Sequence, residues 1–299
     1  MVGEALIDIV VHHSGEAVEH VGGSPANVAV GLARLGHRTR LATYVGTDER
    51  GRRIAGALAA EGVALEPGST DAPRTPTATA RLDAAGAATY DVDLAWRLSP
   101  DAAVPGGGHL HTGSLAATLE PGGAQVLALV ERARPVATIS YDPNARPTVM
   151  GAPADARARV EALIALSDVV KASDEDVAWL YDGADPRGVL ARWRAAGPPL
   201  AVLTRGGAGA LVAVGDDVHE VAARVVEVAD TVGAGDSFSS GLISGLLDAG
   251  LLGGASARDR LGSATWDDVR PAVERALACS AITVTRAGAD PPRRIDLGG

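Results

Sequence analysis

"VADTVGAGDSFSSGLISGLL", residues 228–247, joins an apolar run to a helical pattern through a turn of glycine and alanine. Around it, "VVEVAD" (225–230) predicts a strand, "TVGAG" a tight turn and "DSFSSGLISGLLDAG" an amphipathic helix. Gly233, Ala234 and Gly235 would then present backbone N–H groups at a helix N-terminus, a geometry that receives anions and phosphate oxygens in particular. Asp236 stands in the middle of that turn, where a carboxylate should repel such a ligand. Two readings are open. As a cap, Asp236 would accept N–H groups of the first helical turn. As a general base, it would orient a hydroxyl nucleophile and take its proton while the neighbouring amides hold the charge on an arriving phosphoryl group. An ordinary carboxylate suffices for that task, because the alcohol proton becomes acidic only as the new P–O bond forms. A divalent metal bound with a nucleotide would offset the repulsion.

Outward from this turn, apolar β-rich runs alternate with helical patterns. "ALIDIV" (5–10) predicts a buried strand, and "SPANVAVGLARLG" (24–36) a helix with Ser24 at its N-cap, Pro25 at its first position and Gly36 as its stop. Further strands are expected at 39–45, 108–113, 136–142, 168–172 and 199–204. Helices are expected at 49–62, 120–133, 154–166, 174–182 and 186–196. That is the pattern of βαβ units wound on a mostly parallel sheet. Two segments break the rhythm: 75–93 alternates around "DAAG" and 209–223 around "GDD", and both predict hairpins. The 75–93 hairpin, with 11–21, is expected to form a small lid over the active site. "GLLGGASARD" (250–259) reads as an exposed loop.

The chain has 299 residues, 46% of them hydrophobic, enough for one large domain or two modest ones. A net charge of −10 argues against affinity for nucleic acid or anionic membrane surfaces, so a small-molecule ligand is expected. The single cysteine, Cys279, excludes an internal disulfide, and the N-terminus shows neither a basic leader nor an export segment. A cytoplasmic protein is expected. Rival motifs fail: the only lysine, Lys171, has no Walker loop around it, "GDSFS" (235–239) misses the last glycine of a nucleophile elbow, and "GAGDSF" misses the third glycine of a dinucleotide fingerprint. His12–His13 and His109/His111 lack a third metal ligand nearby and read as surface or packing residues.

"DTVGAGDSF" (230–238) resembles the C-terminal signature of the PfkB, or ribokinase-like, sugar kinases, and "GGSPANVAVGLARLG" (22–36) resembles their N-terminal signature. "GEALIDIV", "YDPNARP", "VKASDED", "LTRGGAG" and "ITVTRAGADPP" follow the family in order, so the resemblance spans nearly the whole chain. It is most similar to the bacterial fructokinase-like branch. The resemblance implies a single ribokinase-like α/β domain over residues 1–299: a three-layer αβα fold with a mostly parallel central sheet and a small β lid.

The same resemblance implies Asp236 as catalytic base, with Gly233, Ala234 and Gly235 as the anion hole. It places Asp8, Gly23 and Asn27 on the sugar hydroxyls, and Arg146 near an anionic group of acceptor or phosphate. Lys171, Ser173, Thr204, Gly206 and Gly209 fall on the nucleotide side. Asp230, the carbonyl of Val232 and the 283–288 region around Gly288 match a monovalent-cation site. In one departure, the family's Asn-x-x-Glu is Ser173 and Asp176 here; the shorter acid would reach Mg²⁺ through water, and Glu175 could substitute. Implied cofactors are ATP, Mg²⁺ and K⁺. The implied activity is ATP-dependent phosphorylation of a primary hydroxyl on a small sugar, with fructose or a related ketose leading ribose, 2-keto-3-deoxygluconate or a nucleoside. Relatives often pair as homodimers through their lids. The competing reading is a non-catalytic sugar or nucleoside sensor on the same scaffold.

Overall fold

The computed structural model describes residues 1–83, 88–99, 102 and 106–298. Its strands are β1 (Leu6–Val11), β2 (Ala17–Gly22), β3 (Thr39–Leu41), β4 (Val63–Leu65), β5 (Thr77–Leu82), β6 (Ala88–Asp93), β7 (Gly108–Gly113), β8 (Ala137–Asp142), β9 (Val169–Ser173), β10 (Leu200–Thr204), β11 (Ala210–Val214) and β12 (Asp217–Val221). Its α-helices are α1 (Ser24–Arg34), α2 (Glu49–Ala60), α3 (Gly122–Ala133), α4 (Pro147–Met150), α5 (Pro153–Leu166), α6 (Asp174–Leu180), α7 (Pro186–Ala196), α8 (Ala234–Asp248), α9 (Ala255–Gly262) and α10 (Trp266–Val284). None of these helices is long and apolar enough to cross a membrane.

The main sheet has the order β12-β11-β10-β9-β8-β7. Strands β7 to β10 run parallel, while β11 and β12 form the expected 209–223 hairpin as an antiparallel edge. Bridges from Val2 to Thr112 and to Ala42 append the parallel pair β3–β4. Strands β8 to β11 are almost wholly buried, as strands covered on both faces should be. Alternation along them feeds two cores. Val170, Ala201 and Leu203 pack with Leu163, Leu190 and Trp193 on one side, whereas Val169, Leu200 and Val202 meet Val28, Phe238, Leu242 and Val273 on the other. This is the expected αβα layering with a mostly parallel sheet.

A second sheet, β2-β1-β5-β6, carries the 75–93 hairpin and most of 11–21. Residues 84–86 of the "DAAG" turn lie outside the described residues. The 5–10 strand proves to belong to this small sheet, where it is buried only near Leu6 and Ile7 and half-buried beyond.

Helix ends follow local chemistry. Helix α1 stops at Gly36, whose φ of +90° lets the His37 N–H close on the Leu32 carbonyl at 3.0 Å. Its start differs from expectation: Gly23 is the cap, with φ 104°, and Ser24 is already helical. Helix α2 is capped by Asp48, which accepts from the Gly51 N–H at 2.8 Å.

Three further readings are corrected. Residues 225–230 form no strand, because β12 ends the sheet and the chain crosses to α10, where the Ala229 and Asp230 N–H groups both reach the Val284 carbonyl. Helix α8 is not amphipathic but buried from Asp236 to Leu246, wedged between α1 and α10. Its serines and glycines are there for close approach: a Cβ on Gly245 would lie 2.5 Å from the Ala272 Cα, and one on Gly241 2.8 Å from the Ala276 Cα. Finally, the 250–259 stretch buries Leu251 and Leu252 and starts α9, from which Arg258 pairs with buried Asp168 at 2.6 Å.

Candidate active site

Parallel strands β8, β9 and β10 end on Asp142, Ser173 and Thr204, at one edge of the main sheet. In open α/β sheets ligands bind outside such carboxyl ends. The turn before α8 reaches this edge. Gly233 caps α8 with φ 74°, and a Cβ there would strike the Ala289 Cβ at 2.5 Å, so the 288–289 segment holds the turn closely. The Ala234 N–H is taken by the Thr231 carbonyl at 3.2 Å, whereas the N–H groups of Gly233 and Gly235 have no acceptor among the described residues. Two of the three expected anion-hole amides therefore remain available. The third is engaged in shaping the turn.

Asp236 does not cap its own helix, which has no side-chain cap bond at all. Its carboxylate reaches across to α1: the Ser24 hydroxyl donates to Oδ1 at 2.6 Å and the Asn27 amide to Oδ2 at 2.8 Å. Burial pushes its pKa above the ordinary carboxylate range and the Asp142 charge adds to that push, while the Ser24 and Asn27 bonds and the Lys171 charge oppose it. Lys171, on β9, donates to Asp142 Oδ2 at 2.9 Å, and the Ser239 hydroxyl of α8 donates to the same oxygen at 3.1 Å. A Cβ on Gly235 would meet Lys171 Nζ at 3.0 Å, so this ammonium lies against the glycine turn. Burial alone would lower the Lys171 pKa, but the charges of Asp142, Asp176 and Asp236 outweigh it and hold the group protonated.

Asp8 sits mid-strand on β1, paired with His20, and its Oδ2 occupies the space a Cβ on Gly22 would need, 1.9 Å away. Burial carries its pKa up to about 6; Arg146 and His20 pull it down and Asp236 pushes it up, so Asp8 feels the charges of both Arg146 and the α8 acid. Gly23 is fixed by contact, since a Cβ would lie 2.5 Å from the Glu4 carbonyl. Arg146 is exposed and turns its guanidinium onto Asn144 and Ala145.

On the other flank, Thr204 Oγ1 donates to the Ala172 carbonyl at 3.2 Å, Gly206 opens a short 3₁₀ turn, and Gly209, with φ 88°, packs so tightly that a Cβ would lie 2.0 Å from the Val221 carbonyl. Ser173 caps α6 in a reciprocal box with Asp176. Both Asp176 oxygens accept backbone N–H groups at 2.7 Å, one from Ser173 and one from Ala145, so this acid organises the 143–146 loop. Asp230 accepts from the Val232 N–H at 3.0 Å and the Gly288 N–H at 2.8 Å, clasping the two loops expected to hold a cation. No cluster of three or more metal-ligating side chains occurs among the described residues. His109 is half-buried and His111 buried; they share Ser140 Oγ at 2.8 Å, and burial lowers both pKa values, as for packing residues.

The pfkB family carbohydrate kinase profile matches residues 2–295. The chain belongs to the pfkB family of carbohydrate kinases. It is 33% identical to a fructokinase of Klebsiella pneumoniae over 97% of this chain and 94% of that protein. Among solved structures it resembles the fructokinase of Xylella fastidiosa with bound ATP (TM-score 0.83, 25% identity, 99% of this chain and 95% of that one). It also resembles a double-mutant fructokinase of Vibrio cholerae O395 with fructose, ADP and potassium ion bound (TM-score 0.75, 28% identity, 96% and 92%). The protein is thus a sugar kinase, a phosphotransferase with an alcohol group as acceptor.

Several residues packed in or beside this candidate site escape a reading of the sequence. Ser24 is absorbed by its apparent role as helix cap. Asp142, within "YDPNARP", offers only the cue of an acid at a strand end before proline. Ser239 is hidden inside a serine-rich helix. Glu4, buried and pushed up to about 7 by desolvation, receives the Ala116 N–H at 3.0 Å, and nothing in "GEAL" signals it.

Proposed function

We propose that this kinase transfers the γ-phosphoryl group of ATP in line to a hydroxymethyl group of fructose or a related ketose, with no phosphoenzyme. The observation that carries the reading is the Asp236 carboxylate, which turns from its own helix toward the sugar-side helix α1. Asp236 is the base, and the Gly233–Gly235 turn holds the charge that develops on the transferred group, backed by the Lys171 ammonium. Asp8, Gly23 and Asn27 bind the sugar hydroxyls, where carboxylate and amide supply acceptor and donor. Arg146 offsets negative charge at the same cleft.

Ser173, Thr204, Gly206 and Gly209 flank the nucleotide. Among the described residues no three-ligand cluster occurs, so Mg²⁺ would be held mainly by the nucleotide phosphates; Asp176, whose two oxygens already accept backbone N–H groups, would reach it through water. The carbonyls of Val232 and of the 283–288 segment, aligned by Asp230, suit K⁺. The relatives support these assignments: one solved fructokinase holds ATP and another fructose, ADP and potassium ion. The small sheet acts as a lid that excludes water as a competing acceptor.

The test is ADP release with ATP and Mg²⁺ on a panel of fructose, ribose, 2-keto-3-deoxygluconate and a nucleoside, in K⁺ and in Na⁺. Fructose is expected to give the highest kcat/KM, with K⁺ faster than Na⁺. Tight binding of one compound without turnover of any would favour the sensor reading instead.

A further inference from the structure

We infer that Ser24 is a positioning residue for Asp236: its hydroxyl pins Oδ1 so that Oδ2 is left to face the acceptor alcohol. This deepens the kinase reading and rests on it. The bond is 2.6 Å long and joins residues 212 positions apart. The usual reason for a serine at this place is absent, because Gly23 caps α1 and no side chain makes a cap bond there. A hydroxyl has one proton to donate, and here it goes to the carboxylate of another helix. The groups facing that carboxylate are Asn27 of α1, Asp142 of β8, Lys171 of β9 and Asp8 of β1. Among the described residues only Asn27 also bonds it, and Asn27 is the group that turns to the sugar in the reading above.

When Asn27 releases Oδ2, the acceptor hydroxyl takes its place while Ser24 keeps the carboxylate plane fixed. The alcohol proton then passes to Oδ2 as its oxygen bonds the γ-phosphorus, and the bond from that phosphorus to the bridging oxygen breaks to leave ADP. The Ser24 bond favours the ionised carboxylate, so it also opposes the upward push that burial gives the acid.

The test uses the full chain with aspartate carboxyl carbons labelled with ¹³C and the Asp236 signal assigned by its loss in Asp236→Asn. In Ser24→Ala the Asp236 titration should move up by about one pH unit, the worth of one hydrogen bond to a charged group, and Ser24→Thr should restore it. Alanine is the best helix former, so the variant keeps α1. The acid limb of kcat/KM for fructose should move by the same amount, giving a loss of about tenfold on the acid side that shrinks toward pH 8. An Asp236 titration unchanged in Ser24→Ala, or a loss equal at every pH, would overturn the inference. If the titration moves while the wild type turns over no sugar, the Ser24–Asp236 coupling stands and the kinase reading is what fails.

Discussion

Replacing Asp236 by Asn removes the base while nearly preserving its shape. Two donors converge on the carboxylate, Ser24 at 2.6 Å and Asn27 at 2.8 Å. An asparagine oxygen can still accept from Asn27, and the Ser24 hydroxyl can rotate to accept from the new amide, so both contacts survive in altered form. The substitution also removes a charge whose burial is the largest cause of its raised pKa, so the folded state should not be weakened. What is lost is proton transfer, worth about 10²–10⁴ in rate, or about 3–5 kcal/mol of barrier. ADP release at saturating sugar and ATP, with thermal melting alongside, separates the two effects. We expect kcat to fall by that factor, with the KM for ATP and the melting temperature nearly unchanged. Wild-type activity should decline on the acid side from a pH above the ordinary carboxylate value of about 4, because burial raises this acid, and the residual rate of the variant should lose that limb. A variant within about tenfold of wild-type kcat that keeps the acid limb would show that another group takes the proton.

Asp8→Asn tests the sugar side. The folded pKa of about 6 exceeds the ordinary value, so the stability tied to this group is full below about pH 4 and is lost as pH rises through about 6. Asn should therefore raise the melting temperature more at pH 7.5 than at pH 4, while the KM for sugar rises by about tenfold or more. Glu4→Gln should show the same sign over a higher window, since Glu4 titrates at about 7: a gain in melting temperature at pH 8 that vanishes near pH 5, and a gain independent of pH would refute the burial argument. Gly233→Ala sets a Cβ 2.5 Å from that of Ala289 at a φ of 74°, which should cost about 1–3 kcal/mol in urea unfolding and lower kcat more than the KM for sugar. Wild-type stability and rate in that variant would show that the turn does not need its observed contact with 288–289.

The layered sheet was readable because β10 and β11 are nearly continuous apolar runs, β8 and β9 are short β-rich stretches set between helical patterns, and α1 carries its own stop at Gly36. The 225–230 segment misled because alternating valines report a strand's propensity but not whether a sheet edge is free to receive it; Val225 and Val228 end largely exposed instead. Helix α8 misled for the opposite reason. Serine and glycine count as polar or weak in a periodicity, yet here they mark backbone contact with α10. The motif singled out Asp236 as a candidate but not its partners, since a contact across 212 positions has no local trace. Ser114 is another such case: it holds a positive φ of 57° at the end of β7 that no sequence pattern announces.

The glycine contacts along α8 also bear on how the enzyme could be re-engineered. With Gly241 and Gly245 seated on the α10 backbone and Gly31 of α1 against Ser240, α8 has little room to slide or roll. With Asp236 as the proposed base, that base is a stationary anvil, and the acceptor has to be brought to it. Retailoring the enzyme for a bulkier alcohol should therefore begin in the small sheet, where adjustment leaves the anvil undisturbed, and not along the helix that bears the acid.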